Sequence, residues 1–182
     1  TGRHIFLTGR AGTGKTTFLR NIVSQTHKKT IVAAPTGIAA INAGGVTLHS
    51  LFQLPFGAFI PTGGLPEGES ISTQVNTPES LSRDLQMHRV KRALLRELEL
   101  LIIDEVSMLR ADLLDAIDLT LRLVRRNRNK PFGGVQILFI GDLYQLPPVV
   151  KQEEWRYLGS HYPDIHFFNA LALRDRPPVY IE

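Results

Sequence analysis

A chain of 182 residues with 43% hydrophobic side chains is long enough for one well-packed domain with a sizeable core. The absence of cysteine excludes a disulfide framework, a thiolate zinc site and a thiol nucleophile, and it fits a reducing compartment. No apolar run approaches the ~20 residues that cross a bilayer and the first residues do not read as a secretory signal, while a net charge of +4 suits a polyanionic partner or merely a solvated basic surface.

The first predicted element is a strand over His4–Thr8, and it runs directly into Gly9-Arg10-Ala11-Gly12-Thr13-Gly14-Lys15-Thr16. Strand, glycine-rich turn, then helix is the context that a phosphate-binding loop needs. Gly9, Gly12 and Gly14 can take backbone angles closed to other residues, so successive N–H groups can face one anion. The helix that follows, from about Lys15 to Ser24, adds the positive end of its dipole. Lys15 supplies a charge for the outer phosphates and Thr16 a hydroxyl for Mg²⁺. The expected nucleotide-binding set is Gly9, Ala11, Gly12, Thr13, Gly14, Lys15, Thr16 and Thr17, with ATP and Mg²⁺ as the bound species.

A second strand is predicted over Thr30–Ala34, followed by Pro35-Thr36-Gly37, a helix over Gly37–Ala43 and a short turn at Leu48–Phe52. The stretch from about 53 to 76 holds four glycines and three prolines without sustained periodicity, which predicts a long surface excursion inside the domain. Thr77-Pro78-Glu79 then starts a helix that reaches Leu98 in one or two pieces. The apolar strand Leu100–Asp104 ends in two acids. Behind a phosphate loop, Asp104 fits as the carboxylate that orders Mg²⁺, and Glu105 as the base that polarises the attacking water. Acids that merely stop a strand would look the same in isolation.

A helix over Ala111–Arg126 carries the basic run Arg122, Arg125, Arg126, Arg128 and Lys130 near its end, read first as a solvated face and second as a DNA footprint. The strand Val135–Ile140 emerges into Gly141-Asp142-Leu143-Tyr144-Gln145, where the Gln145 amide can donate to a phosphate and accept from a water. Gln145 is therefore the candidate sensor of the terminal phosphate. Val179–Ile181 is a possible edge strand, and the chain looks cut from something longer. Continuous apolar runs alternating with helices predict an α/β fold, a mostly parallel sheet with helices on both faces and a single domain over 1–182.

In order, the phosphate loop, Ala34-Pro35-Thr36-Gly37, Thr47-Leu48-His49-Ser50, Ile103-Asp104-Glu105-Val106-Ser107-Met108, Pro131-Phe132-Gly133-Gly134 and Gly141-Asp142-Leu143-Tyr144-Gln145 resemble the first motor domain of PIF-type DNA helicases. The resemblance implies a RecA-like P-loop ATPase domain from an enzyme that moves 5′ to 3′ on single-stranded DNA, in processes such as DNA repair and telomere maintenance. It implies catalytic roles for Lys15, Glu105 and Gln145, metal roles for Thr16 and Asp104, and backbone contacts to single-stranded DNA from Pro35, Thr36, Gly37, Thr47, His49 and Ser50. A second RecA-like domain of the same parent would supply an arginine, so the fragment alone is expected to be poorly active. No membrane association is expected; localisation would be cytoplasmic in a bacterium, nuclear or mitochondrial in a eukaryote. Two rival readings stay open. A RecD-like or conjugative-transfer helicase shares the ATPase motifs, and a non-hydrolysing nucleotide switch shares the phosphate loop. For Thr47 a plain helix cap, for His49 a packed histidine, and for Phe52 and Phe56 core burial are the competing roles.

Overall fold

The continuously apolar runs become parallel strands because each can bury both of its faces. A computed structural model describes residues 2–10, 12–62 and 75–182. Its strands are β1 (Ile5–Leu7), β2 (Thr30–Ala34), β3 (Val46–Thr47), β4 (Ala58–Phe59), β5 (Val75–Asn76), β6 (Leu100–Ile103), β7 (Gln136–Ile140) and β8 (Val179–Ile181). The main sheet has the order β3-β2-β6-β7-β1-β8, and every neighbouring pair in it is parallel. The helices are α1 (Lys15–Gln25), α2 (Gly37–Ala43), α3 (Leu48–Phe52), α4 (Pro78–Asp84), α5 (Arg89–Glu97), α6 (Ala111–Val124) and α7 (Gln152–Leu158).

Alternation along the strands divides the core into two layers. Phe6, Ala33, Leu101, Ile103, Ile137 and Phe139 face the larger layer, which α3, α4 and α6 complete. Leu100, Ile102, Leu138 and Ile140 face the other side, where Leu19 of α1 closes a smaller layer. Ala34 packs with Ala39 and Ala40 of α2. Helices therefore cover both faces, as the strand composition predicts.

The helix expected over Pro78–Leu98 in one or two pieces forms as two, because the backbone leaves the helix at Leu85 and His88 caps a fresh start by accepting from Val90 N–H. Other expectations are corrected. The excursion after Gln53 is not wholly at the surface. Leu54, Ala58, Phe59 and Ile60 are buried, and Ile60 N–H donates to Asn76 O at 2.8 Å, which ties its two feet together. The part over 63–74 lies outside the described residues. Helix α7 has no Ser, Thr, Asp or Asn cap to announce it; Glu154 instead accepts from Lys151 N–H at 3.0 Å.

In the basic run Arg126, Arg128 and Lys130 are exposed, whereas Arg122 and Arg125 are half-buried and engaged within the fold. Arg125 reaches the carbonyls of Leu95, Arg96 and Leu98 and of Gly133, so it stitches the end of α5 to the turn before β7. Arg122 pairs with Asp118 at 2.7 Å. Asp118 also accepts from Phe132 N–H at 2.5 Å, which seats the Pro131–Gly134 turn on α6. A Cβ at Gly133 would sit 2.7 Å from Leu121 O, so only glycine fits there.

Candidate nucleotide and nucleic-acid site

An all-parallel sheet sends every strand's C-terminal end to one edge, and ligands of such sheets bind in the crevice there. β7 lies between β6 and β1, with Ile103 opposite Phe139 and Leu7 opposite Ile140. Gly141 N–H donates to Leu7 O at 3.2 Å, and Asp104 N–H to Ala33 O at 2.9 Å. The turn after β1, the acids after β6 and the turn after β7 therefore emerge side by side.

The turn after β1 has the conformation that its glycines allow. Gly9, Gly12 and Gly14 all have positive φ, and a Cβ at Gly12 or Gly14 would meet nothing within 4 Å, so the loop faces open space. Thr13 Oγ1 donates to Arg10 O at 2.8 Å and tightens the loop. Gly14 precedes α1 without any side-chain cap, and no acid occupies the first turn. The N–H groups of Lys15, Thr16 and Thr17 thus lack intrahelical acceptors, which makes a ready anion site. Lys15 Nζ donates to Gly9 O at 2.5 Å and Arg10 O at 2.9 Å, so its ammonium lies over the loop. Thr16 and Thr17 are exposed on that first turn. Ala11 lies outside the described residues.

Lys15 also acts on the two acids. Burial raises the Asp104 carboxyl above its ordinary range, opposed by the bond from Glu105 N–H and by the charge of Lys15. Burial raises Glu105 too, reinforced by Asp104 and Asp142 and opposed by Lys15. Asp104 Oδ1 accepts from Glu105 N–H at 3.0 Å, and Glu105 sits in the left-handed region at φ 54. Strained backbone of this kind clusters at functional sites. Glu105 is thus a half-buried carboxylate within electrostatic reach of Asp104, Asp142 and the Lys15 ammonium, a setting that suits a base.

Asp142 is the residue that sequence reasoning left out of the site. It is buried, it accepts from Tyr144 N–H at 3.0 Å and Gln145 Nε2 at 3.4 Å, and its charge raises Glu105. An acid two residues after the end of a buried strand was the available signal, close to the one that marked Asp104 directly after its strand. Gln145 itself is exposed, with its amide tethered to this buried carboxylate. Gly141 is fixed by packing, since a Cβ there would lie 2.9 Å from Val106 N.

The six residues assigned to DNA gather at the other end of the same edge, after β2 and β3. β1 and β2 are separated by β7 and β6, about 14–15 Å at the usual strand spacing. Thr36 caps α2 by accepting from Ala39 N–H at 3.3 Å, between Pro35 and Gly37. Thr47 caps α3 by accepting from Ser50 N–H at 3.2 Å. Each hydroxyl keeps its proton to donate. Ser50 is exposed; His49 is half-buried, and burial, then the charge of Arg110, hold its imidazole below the ordinary range. Phe52 is core, whereas Phe56 is exposed and lies on the His49 ring.

The model of the PIF1-like helicase family matches residues 1–60 and 65–157. The Candida albicans ATP-dependent DNA helicase PIF1 is 39% identical over 173 residues, covering 93% of this chain and 17% of that protein. The mouse protein of the same name is 37% identical over 182 residues, covering all of this chain and 24% of its own length. This chain thus spans roughly a fifth of such relatives. Among solved structures, a Bacteroides Pif1 bound to single-stranded DNA is similar at 47% identity and TM-score 0.84, with 99% of this chain and 38% of that one covered. A Bacteroides Pif1 in complex with ADP-AlF4 is similar at 45% identity and TM-score 0.82, covering 100% of this chain and 38% of that one. Motif order, parallel RecA-like sheet and these matches agree: the chain belongs to the PIF1-like helicase family.

Proposed function

We propose that this domain binds and hydrolyses ATP as half of a motor that moves 5′ to 3′ along single-stranded DNA. The observation that carries the reading is the convergence of Lys15, Asp104, Glu105 and Asp142 at adjacent strand ends beside an uncapped helix N-terminus. Backbone N–H groups from Gly12 to Thr17 and the Lys15 ammonium hold the phosphates. Thr16 and Asp104 are the residues that fit a magnesium ion, which neutralises charge on the phosphate oxygens when bound. Glu105 accepts the proton of the attacking water. Gln145, held by Asp142, reports the terminal phosphate to the rest of the turn.

Pro35, Thr36, Gly37, Thr47 and Ser50 form the track for the strand's backbone, with His49 at its side; the small donors Thr36, Thr47 and Ser50, next to helix starts, suit phosphates better than base edges. In the longer protein a second RecA-like domain would close on the same edge and supply a cation to the phosphates. The test is ATP turnover by the full-length protein with and without oligo(dT), together with displacement of streptavidin from either end of a biotinylated strand. The reading expects turnover to rise with DNA and displacement to occur only at the 3′ end. Turnover indifferent to DNA, or displacement at the 5′ end, would overturn it.

A further inference from the structure

Beside the proposed track lies a place whose chemistry does not suit phosphate. Phe56 is 74% exposed, and its ring lies on His49 with centroids 5.4 Å apart and planes inclined by 21°. The loop that presents it is held at both ends. Gln53 closes α3 in the left-handed region at φ 52, Gly57 has φ 103, and Asn76 Nδ2 donates to Phe56 O at 2.9 Å. The phenyl is thus displayed with little conformational freedom left to lose, which favours binding.

Both rings line a cavity of about 240 Å³, walled by Leu54, Phe59, Leu81 and Leu113. Pockets for drug-sized molecules run to roughly 300–1,000 Å³, so this one has room for a single ring system rather than a whole nucleotide. Its polar side is already spoken for. Arg110 gives Nε and Nη2 to Asp112 at 2.9 and 2.8 Å, and Nη1 to Glu154 at 3.0 Å. Asp112 further accepts from Phe59 N–H at 3.0 Å. Burial, then the charge of Arg110, disfavour the charged form of His49. Apolar walls, a stacked pair of rings and a guanidinium committed to two carboxylates offer poor compensation for desolvating a phosphate. They suit a flat aromatic heterocycle.

We infer that this pocket receives one unstacked nucleobase of the single strand whose backbone runs past Thr47 and Ser50. The inference rests on the DNA reading proposed above, and continuity with that track, whose Thr47 lies two residues before His49 and Ser50 one after it, selects a base over other aromatic groups. Because every base presents a π face, recognition here is indifferent to sequence.

The full-length protein tests it with oligo(dT) and an abasic oligonucleotide of the same length, each measured by anisotropy, and with a strand carrying 2-aminopurine at successive positions. The expected result is tighter binding of oligo(dT) than of the abasic strand by about fivefold or more, and quenching of 2-aminopurine at one position. Phe56→Ala removes the stacking face, and Ala116→Leu fills the cavity from α6; each should bring oligo(dT) affinity down toward that of the abasic strand. Equal affinity of the wild-type protein for both strands would overturn the inference while leaving the backbone track standing. So would equal weakening of both strands by Phe56→Ala. Binding of neither strand would overturn the DNA reading and this inference with it.

Discussion

Arg110 holds together three separate parts of the chain, and its removal should be costly. Its side chain is 17% exposed, and its partners Asp112 and Glu154 are 2% and 8% exposed. The first partner sits at the start of α6 and also holds β4 through Phe59 N–H; the second begins α7. An exposed ion pair contributes about 0–1 kcal/mol, whereas breaking a buried pair from one side costs about 3–5 kcal/mol because it strands the other charge. In Arg110→Met both carboxylates lose their counterion, yet each keeps one backbone donor, at 3.0 Å in both cases. That places the expected loss near the lower bound, about 3 kcal/mol, or roughly 6–12 °C in melting temperature for a domain of this size. Urea denaturation of wild type, Arg110→Met, Glu154→Gln and the double variant measures it. The double variant should be more stable than the sum of single losses implies, since a neutral amide strands no charge. A loss below 1 kcal/mol, or strict additivity, would refute the reasoning.

Other consequences follow from single contacts. Aspartate caps helices as well as threonine, so Thr47→Asp should preserve melting temperature while repelling phosphate; oligo(dT) affinity in a fluorescence titration should fall about tenfold or more, and unchanged affinity would remove Thr47 from the track. Gly141→Ala forces a Cβ to 2.9 Å from Val106 N, next to Glu105. It should cost about 1–3 kcal/mol of stability and depress ATP turnover more than nucleotide affinity; wild-type turnover would mean that Gly141 does not position the base. Burial pushes the Asp115 carboxyl up to about 6, although it accepts from Tyr162 Oη and the N–H groups of Leu171 and Ala172. A carboxyl raised on folding adds stability at low pH that fades as pH rises from its unfolded value toward 6, here about 3 kcal/mol in all. A ¹³C titration of that carboxyl should show its midpoint near 6, and a midpoint near 4 would contradict the burial argument.

The nucleotide edge was legible in the chain because its chemistry is local. A strand, three glycines, a lysine and a threonine in immediate succession leave few other uses for Gly9 to Thr16, and the acids after Ile103 announce a strand end. What stayed hidden depends on distant partners. Arg122 and Arg125 read as a basic face, and only the fold brings them against Asp118 and against the carbonyls of Leu95, Arg96 and Leu98. Helix α7 escaped notice since its cap is a glutamate three residues inside it. Phe52 and Phe56 look alike in sequence, yet one is core and the other exposed, a difference set by the left-handed residue at Gln53 between them. Asp142 was visible as an acid after a strand; its influence on Glu105 required the β6–β7 pairing to be known.

The most direct measurement titrates a fluorescent ATP analogue with Mg²⁺ into wild-type, Lys15→Ala and Glu105→Gln forms of the full-length protein, and records ATP turnover for each. If the loop and the acids share one triphosphate, Glu105→Gln should bind like wild type and turn over about a hundredfold more slowly or worse. Lys15→Ala should lose affinity itself, by about tenfold or more. Wild-type turnover by Glu105→Gln, or undiminished binding by Lys15→Ala, would show that the glycine loop and the strand-end carboxylates do not serve the same nucleotide.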